Sequence, residues 1–276
     1  MFNAWLIYDK EGAKKNKDYI AHHKEVGEKM GIHFELKMRE EIFSKLPAPK
    51  PDFAIVRTIC PELSKKLEAA KIPAFNTAFV SEICNDKGKT IDYIQKKTKV
   101  PVIPTERFKR EKLSKDLLIR YPDSVIKTVD GHGGKQVFLT SEKFSVICAG
   151  IGSSDFVIQP FVRGVGKDVR VYVVGQTIVG AVERTATEGF RSNFSLGGTV
   201  KNYLLSEEEK ALIEEICSVF SFGLVGIDFI INEKGKFVFN EIEDVVGARM
   251  LYQCQPEISL LEQYFSFILD KMLQNN

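Results

Sequence analysis

The period of the hydrophobic positions changes along this chain. The first apolar run, AWLIY at residues 4–8, is short and continuous, which predicts a buried strand. KDYIAHHKEVGEKMG, residues 17–31, reads as a helix with Gly31 as its C-cap. Its two histidines, His22 and His23, are expected at the surface or partly packed. HFEL and FAIV predict further strands, and Pro61 stands at the first position of the next helix. Strand and helix alternate, so residues 1–85 read as an α/β unit. No Gly-x-Gly-x-x-Gly turn follows the first strand, which disfavours a dinucleotide fold.

The pattern changes at Asp86. DKGKTIDYIQKKT predicts a helix, SVIKTV and QVFLT predict strands around DGHGGK, and a short helix leads to the strand FVIQPFV. Residues 86–160 therefore look like a small lid-like domain. In residues 161–276, DVRVYVVGQTIVGAVERTA holds two β-rich runs joined at Gly175-Gln176, a hairpin signal. The polar run EGFRSNFSLGG comes next. SEEEKALIEEICSVFSFG predicts a helix with Ser206 as N-cap, Glu209 completing a capping box and Gly223 past its end. The hairpin GIDFIINEKGKFVFNEIE and an amphipathic helix close the pattern.

Composition narrows the function classes. A chain of 276 residues with 44% hydrophobic and 28% charged content is ordinary for a soluble globular protein. Its 39 basic and 37 acidic residues leave a net charge of +2, which argues against general nucleic-acid or membrane-surface binding. Five cysteines without a Cys-x-x-Cys pair read as reduced thiols in a cytoplasmic protein, and a zinc site is disfavoured. The start lacks the pattern of a signal peptide, and no apolar run approaches the ~20 residues of a membrane span.

Candidate chemistry concentrates in the last hairpin. Residues two apart on a strand share a face, so Phe237, Phe239, Glu241 and Glu243 are expected to point one way. With NEKG as a four-residue turn, Ile231 opposes Lys236, Asp228 opposes Phe239, and Glu241 is the diagonal neighbour of Asp228. The other face, with Ile227, Phe229, Ile231, Val238 and Ile242, belongs to a core. Three carboxylates beside phenylalanines repel one another and lose hydration. A divalent cation resolves that conflict, and oxygen ligands select magnesium or manganese. The alternative is a sheet edge with solvated acids.

Further signals are weaker one by one. Gly131, Gly133 and Gly134 in DGHGGK allow close approach of backbone N–H groups to an anion, or simply make a flexible hairpin turn. Lys127 and Lys135 flank that loop, and Lys87 opens a helix. Asp168 and Arg170 alternate on a strand, where they serve a ligand or an edge ion pair. Arg191 and Asn193 are donors suited to phosphate or carboxylate oxygens.

The order of these signals resembles the ATP-grasp superfamily, and within it the RimK-like amino-acid ligases, from about Phe75 onward. ERTATEGFRSNFSLGG is similar to that family's Glu-Arg…Phe-Arg-Ser/Ala-Asn…Gly-Gly segment, CNDKGKT to its Asp-Lys segment, and GKDVRVYVVG to its Asp-Val/Ile-Arg strand. The resemblance implies an α/β ATP-grasp fold: an N-terminal pre-ATP-grasp domain, a small lid and a C-terminal subdomain. It implies that Lys87 and Lys127 contact the ATP phosphates, helped by Gly133 and Gly134. The linker Gln159 to Val162, including Phe161, would read the adenine edge, and Asp168 would hold the ribose. Arg191 and Asn193 would reach the phosphates and the intermediate, with Arg170 as a second stabilising arginine. Asp228, Glu241 and Glu243 would bind two magnesium ions. Two departures stand out: Glu243 replaces the family's usual asparagine, and DVVGARMLY replaces a Ser/Asn-rich stretch. Arg249 in that stretch is a candidate for a substrate carboxylate, or a surface residue at a helix start.

The implied reaction is ATP-dependent ligation of a carboxylate to an amine through an acylphosphate. The substrates would be small molecules or peptides, and related ligases are often oligomers. The rivals are a kinase on the same scaffold and a nucleotide-binding protein without catalysis.

Overall fold

The computed structural model describes residues 1–131, 136–162, 164–185 and 199–274. Three sheets order them. In the first, β1 (Phe2–Tyr8) leads through α1 (Lys10–Lys15) and α2 (Lys17–Lys29) to β2 (Ile32–Met38). A short α3 (Arg39–Ile42), β3 (Phe53–Val56), α4 (Pro61–Ala69) and β4 (Ala74–Phe75) follow. The strand order is β2-β1-β3-β4, all parallel. Both faces are covered, which is why β1 and β3 are continuous apolar runs. Pro61 opens α4 where its missing N–H costs nothing, and Gly31 follows α2 at φ +79°.

Next come α5 (Ala78–Cys84) and α6 (Lys87–Lys97). Asp86 caps α6 through the Lys89 N–H. The second sheet joins β5 (Glu106–Phe108), β6 (Ser124–Thr128), β7 (Val137–Leu139) and β8 (Phe156–Pro160) in the order β5-β8-β6-β7, with α7 (Lys115–Ile119) and α8 (Phe144–Ile151) packed on it. The third joins β9 (Gly164–Val174), β10 (Thr177–Thr185), β11 (Thr199–Asn202), β12 (Leu224–Asn232) and β13 (Phe237–Glu243), antiparallel throughout, in the order β11-β10-β9-β12-β13. Gly175, at φ +60°, makes the two-residue turn between β9 and β10. The helix α9 (Glu207–Ser218) has the expected capping box between Ser206 and Glu209. It stops short of Gly223 because Phe220 and Phe222 stack into the core instead. The helices α10 (Arg249–Cys254) and α11 (Leu260–Gln274) complete the chain.

Two cores lie on the two faces of the third sheet. On one face, Val169, Val171, Ile227 and Phe229 pack against α9 and against Ile91 and Ile94 of α6. The apolar side of α6 thus belongs to the large sheet and not to the small one. On the other face, Tyr172, Val182 and Leu224 meet α10, α11 and the first sheet. No helix among the described residues is long and apolar enough to cross a membrane.

The last hairpin departs from the expected register. Ile231 pairs with Phe237, Phe229 with Phe239, and Asp228 with Glu241, so Asn240 is an extra residue in a β-bulge. The bulge reverses the face assignment. Phe237 and Phe239 turn into the core beside Phe229 and Ile242, while Glu241 and Glu243 stay on the opposite face. Asp228 therefore faces Glu241 directly. A period of two carried through the bulge puts the phenylalanines on the wrong side.

Candidate active site

On its polar face the large sheet presents Asp168 and Arg170 from β9, Arg184 from β10, Asp228 from β12, and Glu241 and Glu243 from β13. Registry brings them together, because Arg170 lies opposite Asp228, and Arg184 opposite Asp168. Arg170 donates from Nε and Nη2 to the two oxygens of Asp228, each at 2.7 Å. Its Nη1 meets Glu243 Oε2 at 2.5 Å. Arg184 donates to Asp168 Oδ1 at 2.7 Å and Oδ2 at 2.6 Å, and from Nη2 to Asp228 Oδ2 at 2.7 Å. Asp228 is wholly buried. Burial alone would raise its pKa, but the two guanidinium groups pull it down to about 2.

Two lysines enter this face from outside the sheet. Lys87, the first residue of α6, is buried, lies 3.2 Å from Glu241 Oε2 and donates to the carbonyl of Gly131. Lys127 on β6 is buried and donates to Asn240 Oδ1 at 3.0 Å. Burial, reinforced by the charge of Lys87 and opposed by Glu241, lowers the Lys127 pKa to about 8. Glu241 titrates below the ordinary range: burial opposes this, while Lys87 and Lys127 favour its charged form. The bulge thus has a use, since it turns Asn240 to Lys127 while Glu241 meets Lys87.

The linker residues follow β8. Gln159 is buried and donates from Nε2 to Thr105 Oγ1 at 2.8 Å, leaving Oε1 without a protein partner. Phe161 donates its N–H to the Asp123 carbonyl at 2.8 Å and borders a shallow cleft of about 390 Å³ with Asn232, Glu233 and Lys234. Val162 is half-buried beside it. Asp168, implied as a ribose ligand, has both oxygens engaged by Arg184. Arg249 is exposed at the start of α10. Gly133, Gly134, Arg191 and Asn193 lie outside the described residues.

Sequence reasoning missed Arg184 and Asn240. The signal for Arg184 was its two-residue spacing from buried Val182, which puts a charge on an inward face. Asn240 had no such signal, because a bulge is visible only in the pairing. His23 also differs from the expectation: it is fully buried against Tyr19, Phe34 and Phe265. Burial, with Arg57 nearby, lowers its pKa to about 3.

Among the described residues no three Asp, Glu, His or Cys side chains converge as a ready ion cage. The donor chemistry still suits a hard cation. Glu241 and Glu243 are 29% and 33% exposed on one face. Their oxygens fit magnesium, whereas Asp228 would first have to release a guanidinium.

Comparison with known proteins agrees with this architecture. The RimK-like ATP-grasp domain matches residues 84–261. The "uncharacterized protein MG011" of Mycoplasma genitalium is 26% identical over 246 residues, covering 88% of this chain and 80% of that protein. A "probable alpha-L-glutamate ligase" of Shewanella pealeana is 28% identical over 242 residues, covering 78% of this chain and 52% of that protein. The crystal structure of D-alanine–D-alanine ligase from Bacillus anthracis in complex with ATP aligns with a TM-score of 0.73 at 14% identity, covering 99% of this chain and 98% of that one. This chain belongs to the RimK-like ATP-grasp family. It is an enzyme of the ATP-dependent ligase class that forms C–N bonds.

Proposed function

We propose that the protein joins a carboxylate to an amine, attaching an amino acid to an amino-acid, peptide or protein substrate at the expense of ATP. The observation that carries this reading is the meeting of Lys87 and Lys127 with the carboxylate strand at Glu241 and Asn240. Two ammonium groups beside a row of acids suit a polyphosphate held through divalent cations. The three sheets support a division into a pre-ATP-grasp domain at 1–85, a lid at 86–160 and a C-terminal domain from 161, with α6 packed on the large sheet.

In this reading Lys87 and Lys127 bind the phosphates, and Gly133 and Gly134 cover them. Backbone groups of Gln159, Phe161 and Val162 take the adenine. Asp168 meets the ribose only if Arg184 yields an oxygen; otherwise it orients Arg184. Glu241 and Glu243, with Asp228, are the residues that would hold two magnesium ions, which supply charge neutralisation for the phosphates when bound. The substrate carboxylate oxygen attacks the γ-phosphorus in line, and ADP leaves. The amine then attacks the acyl carbon, loses a proton and expels phosphate. Arg170 and Arg191 stabilise the negative oxygens of these steps, and Asn193 helps position the transferred phosphoryl group. The five free cysteines fit a cytoplasmic setting.

The test is ADP and phosphate release by the purified protein with magnesium-ATP and a panel of amino acids and dipeptides. Turnover must require both a carboxylate and an amine, and the amide product must be found by mass spectrometry. A phosphorylated hydroxyl compound as the end product would replace ligation by a kinase reaction.

A further inference from the structure

Residues 244–248, between β13 and α10, belong to no helix or strand, so their carbonyls have no sheet ladder to join. Side chains from elsewhere hold them. Asn76 donates to the Asp244 carbonyl at 2.8 Å, Arg57 Nη2 to that of Val246 at 2.8 Å, and the Tyr172 hydroxyl to that of Gly247 at 3.2 Å. Asn76 directly follows β4 and Arg57 directly follows β3, so both reach over from the first sheet. All three side chains are buried, Arg57 with 7% exposure. Arg57 is also attracted to the Asp244 carboxyl of the same segment and has the Tyr8 hydroxyl as a partner. It is a closed contact between the first sheet and this segment.

The segment folds back over β12. Gly226 pairs with Glu243 on one side and with Tyr172 on the other, and the wholly buried Val246 lies across it. A Cβ at position 226 would stand 2.8 Å from Val246 Cγ2 and 3.3 Å from Arg170 Cδ. Val246 and the stem of Arg170 therefore share the space above this one residue, and glycine serves here for close approach. Arg170 in turn meets Glu243, the residue just before the segment, at 2.5 Å. A continuous chain of contacts thus runs from Arg57 through the Val246 carbonyl and side chain to Arg170 and Glu243.

We infer that Arg57 is a positioning residue for the reaction: by fixing Val246 over Gly226 it sets where Glu243 and Arg170 stand. Asn76 and Tyr172 hold the two ends of the same segment. The first sheet thereby shapes the metal-binding strand, although Arg57 comes from a different part of the chain. Outer partners that orient a metal ligand change metal affinity when they are lost. The inference rests on the ligase reading, in which Glu243 holds magnesium and Arg170 stabilises negative oxygens.

The experiment is manganese binding to the full-length protein with ADP, followed by electron paramagnetic resonance, with manganese as the probe for magnesium. Arg57→Lys keeps a positive charge beside Asp244 but loses the planar fork, and should weaken manganese roughly tenfold. Gly226→Ala displaces Val246 while Arg57 stays, and should weaken manganese in the same direction. Tyr172→Phe removes only the hydroxyl on the Gly247 carbonyl, so a smaller loss is expected with the melting temperature nearly unchanged. Leu67→Ala, in the separate core under α4, is the control: it should lower the melting temperature and leave manganese affinity as it was. In the ligand-free protein, hydrogen exchange should quicken over residues 241–248 in Arg57→Lys and Gly226→Ala, whereas Leu67→Ala should not single out that stretch. Wild-type manganese affinity in Arg57→Lys and Gly226→Ala overturns the positioning role. So does an equal loss in Leu67→Ala, which would make Arg57 a stabilising contact only. Either result leaves the ligase reading standing. No manganese binding by the wild type with ADP removes the ligase reading, and the positioning role with it.

Discussion

Arg170 and Asp228 lie opposite each other on β9 and β12 and are joined by two parallel hydrogen bonds of 2.7 Å, wholly inside the protein. With Arg184 on the same carboxylate, two positive groups depend on one buried aspartate. Asp228→Asn should therefore destabilise the protein by about 1.5–3 kcal/mol, since Arg170 keeps only Glu243 and Arg184 only Asp168 as a carboxylate partner. The pH dependence has a definite sign. A carboxyl held at about 2 against an ordinary 3.8 contributes stability above pH ~4 that is lost as pH falls through 2. Urea unfolding between pH 2 and 5 should show a shallower acid slope for Asp228→Asn than for the wild type; equal slopes would place the acid-sensitive group elsewhere.

Lys127 makes the opposite prediction. Its pKa of about 8 lies below the ordinary 10.5, so the unfolded chain binds more protons between those values and stability rises with pH there. At pH 7 the buried charge is a cost. Lys127→Met should raise the melting temperature of the ligand-free protein, a gain of roughly 1–3 kcal/mol. It should also weaken ATP binding roughly ten- to hundredfold. In the wild type, ATP affinity should decline above pH ~8. A variant that is both less stable and equally good at binding ATP would remove Lys127 from the phosphate site.

Glu241 and Glu243 should separate under substitution. Glu241→Gln breaks the pair with Lys87 and removes a charge at the centre of the acidic row, so ATP turnover should nearly vanish with the fold intact. Glu243→Asn keeps an oxygen ligand and releases only Nη1 of Arg170, which stays paired with Asp228. Turnover should persist, with half-maximal magnesium raised by roughly tenfold as ligand charge falls. Magnesium titrations of steady-state ADP release, with circular dichroism as the control for folding, decide between this pattern and equal loss in both.

Asn76 ties the first sheet to the third. Its Nδ2 donates to the carbonyls of Leu224 at 2.9 Å and Asp244 at 2.8 Å, and its Oδ1 accepts from the Gly223 N–H at 2.6 Å. Asn76→Ala leaves three buried backbone groups unpaired and should cost about 2–4 kcal/mol. A lower urea midpoint at unchanged m-value is the expected result. No shift in the midpoint would mean that water replaces the side chain without loss.

Much of the local structure follows from nearest neighbours in the chain. Pro61 at the first turn of α4, Ser206 with Glu209 at the start of α9, and Gly175 between β9 and β10 each act through atoms a few residues away, so their roles are legible in one dimension. The order of Lys87, Lys127 and the acidic strand is legible in the sequence and carries the resemblance to the family. What tertiary structure alone decided is which groups meet. The extra residue Asn240 reverses the face of Phe237 and Phe239, and strand pairing gives Asp228 two arginine partners where an ion was expected from the spacing. Packing also buries His23 and Arg57, which nothing in their neighbours foretells, and leaves Arg249 in solvent. The reason is physical: capping and turn chemistry are short-ranged, whereas strand register and the cost of a buried charge depend on chain segments tens to hundreds of residues apart.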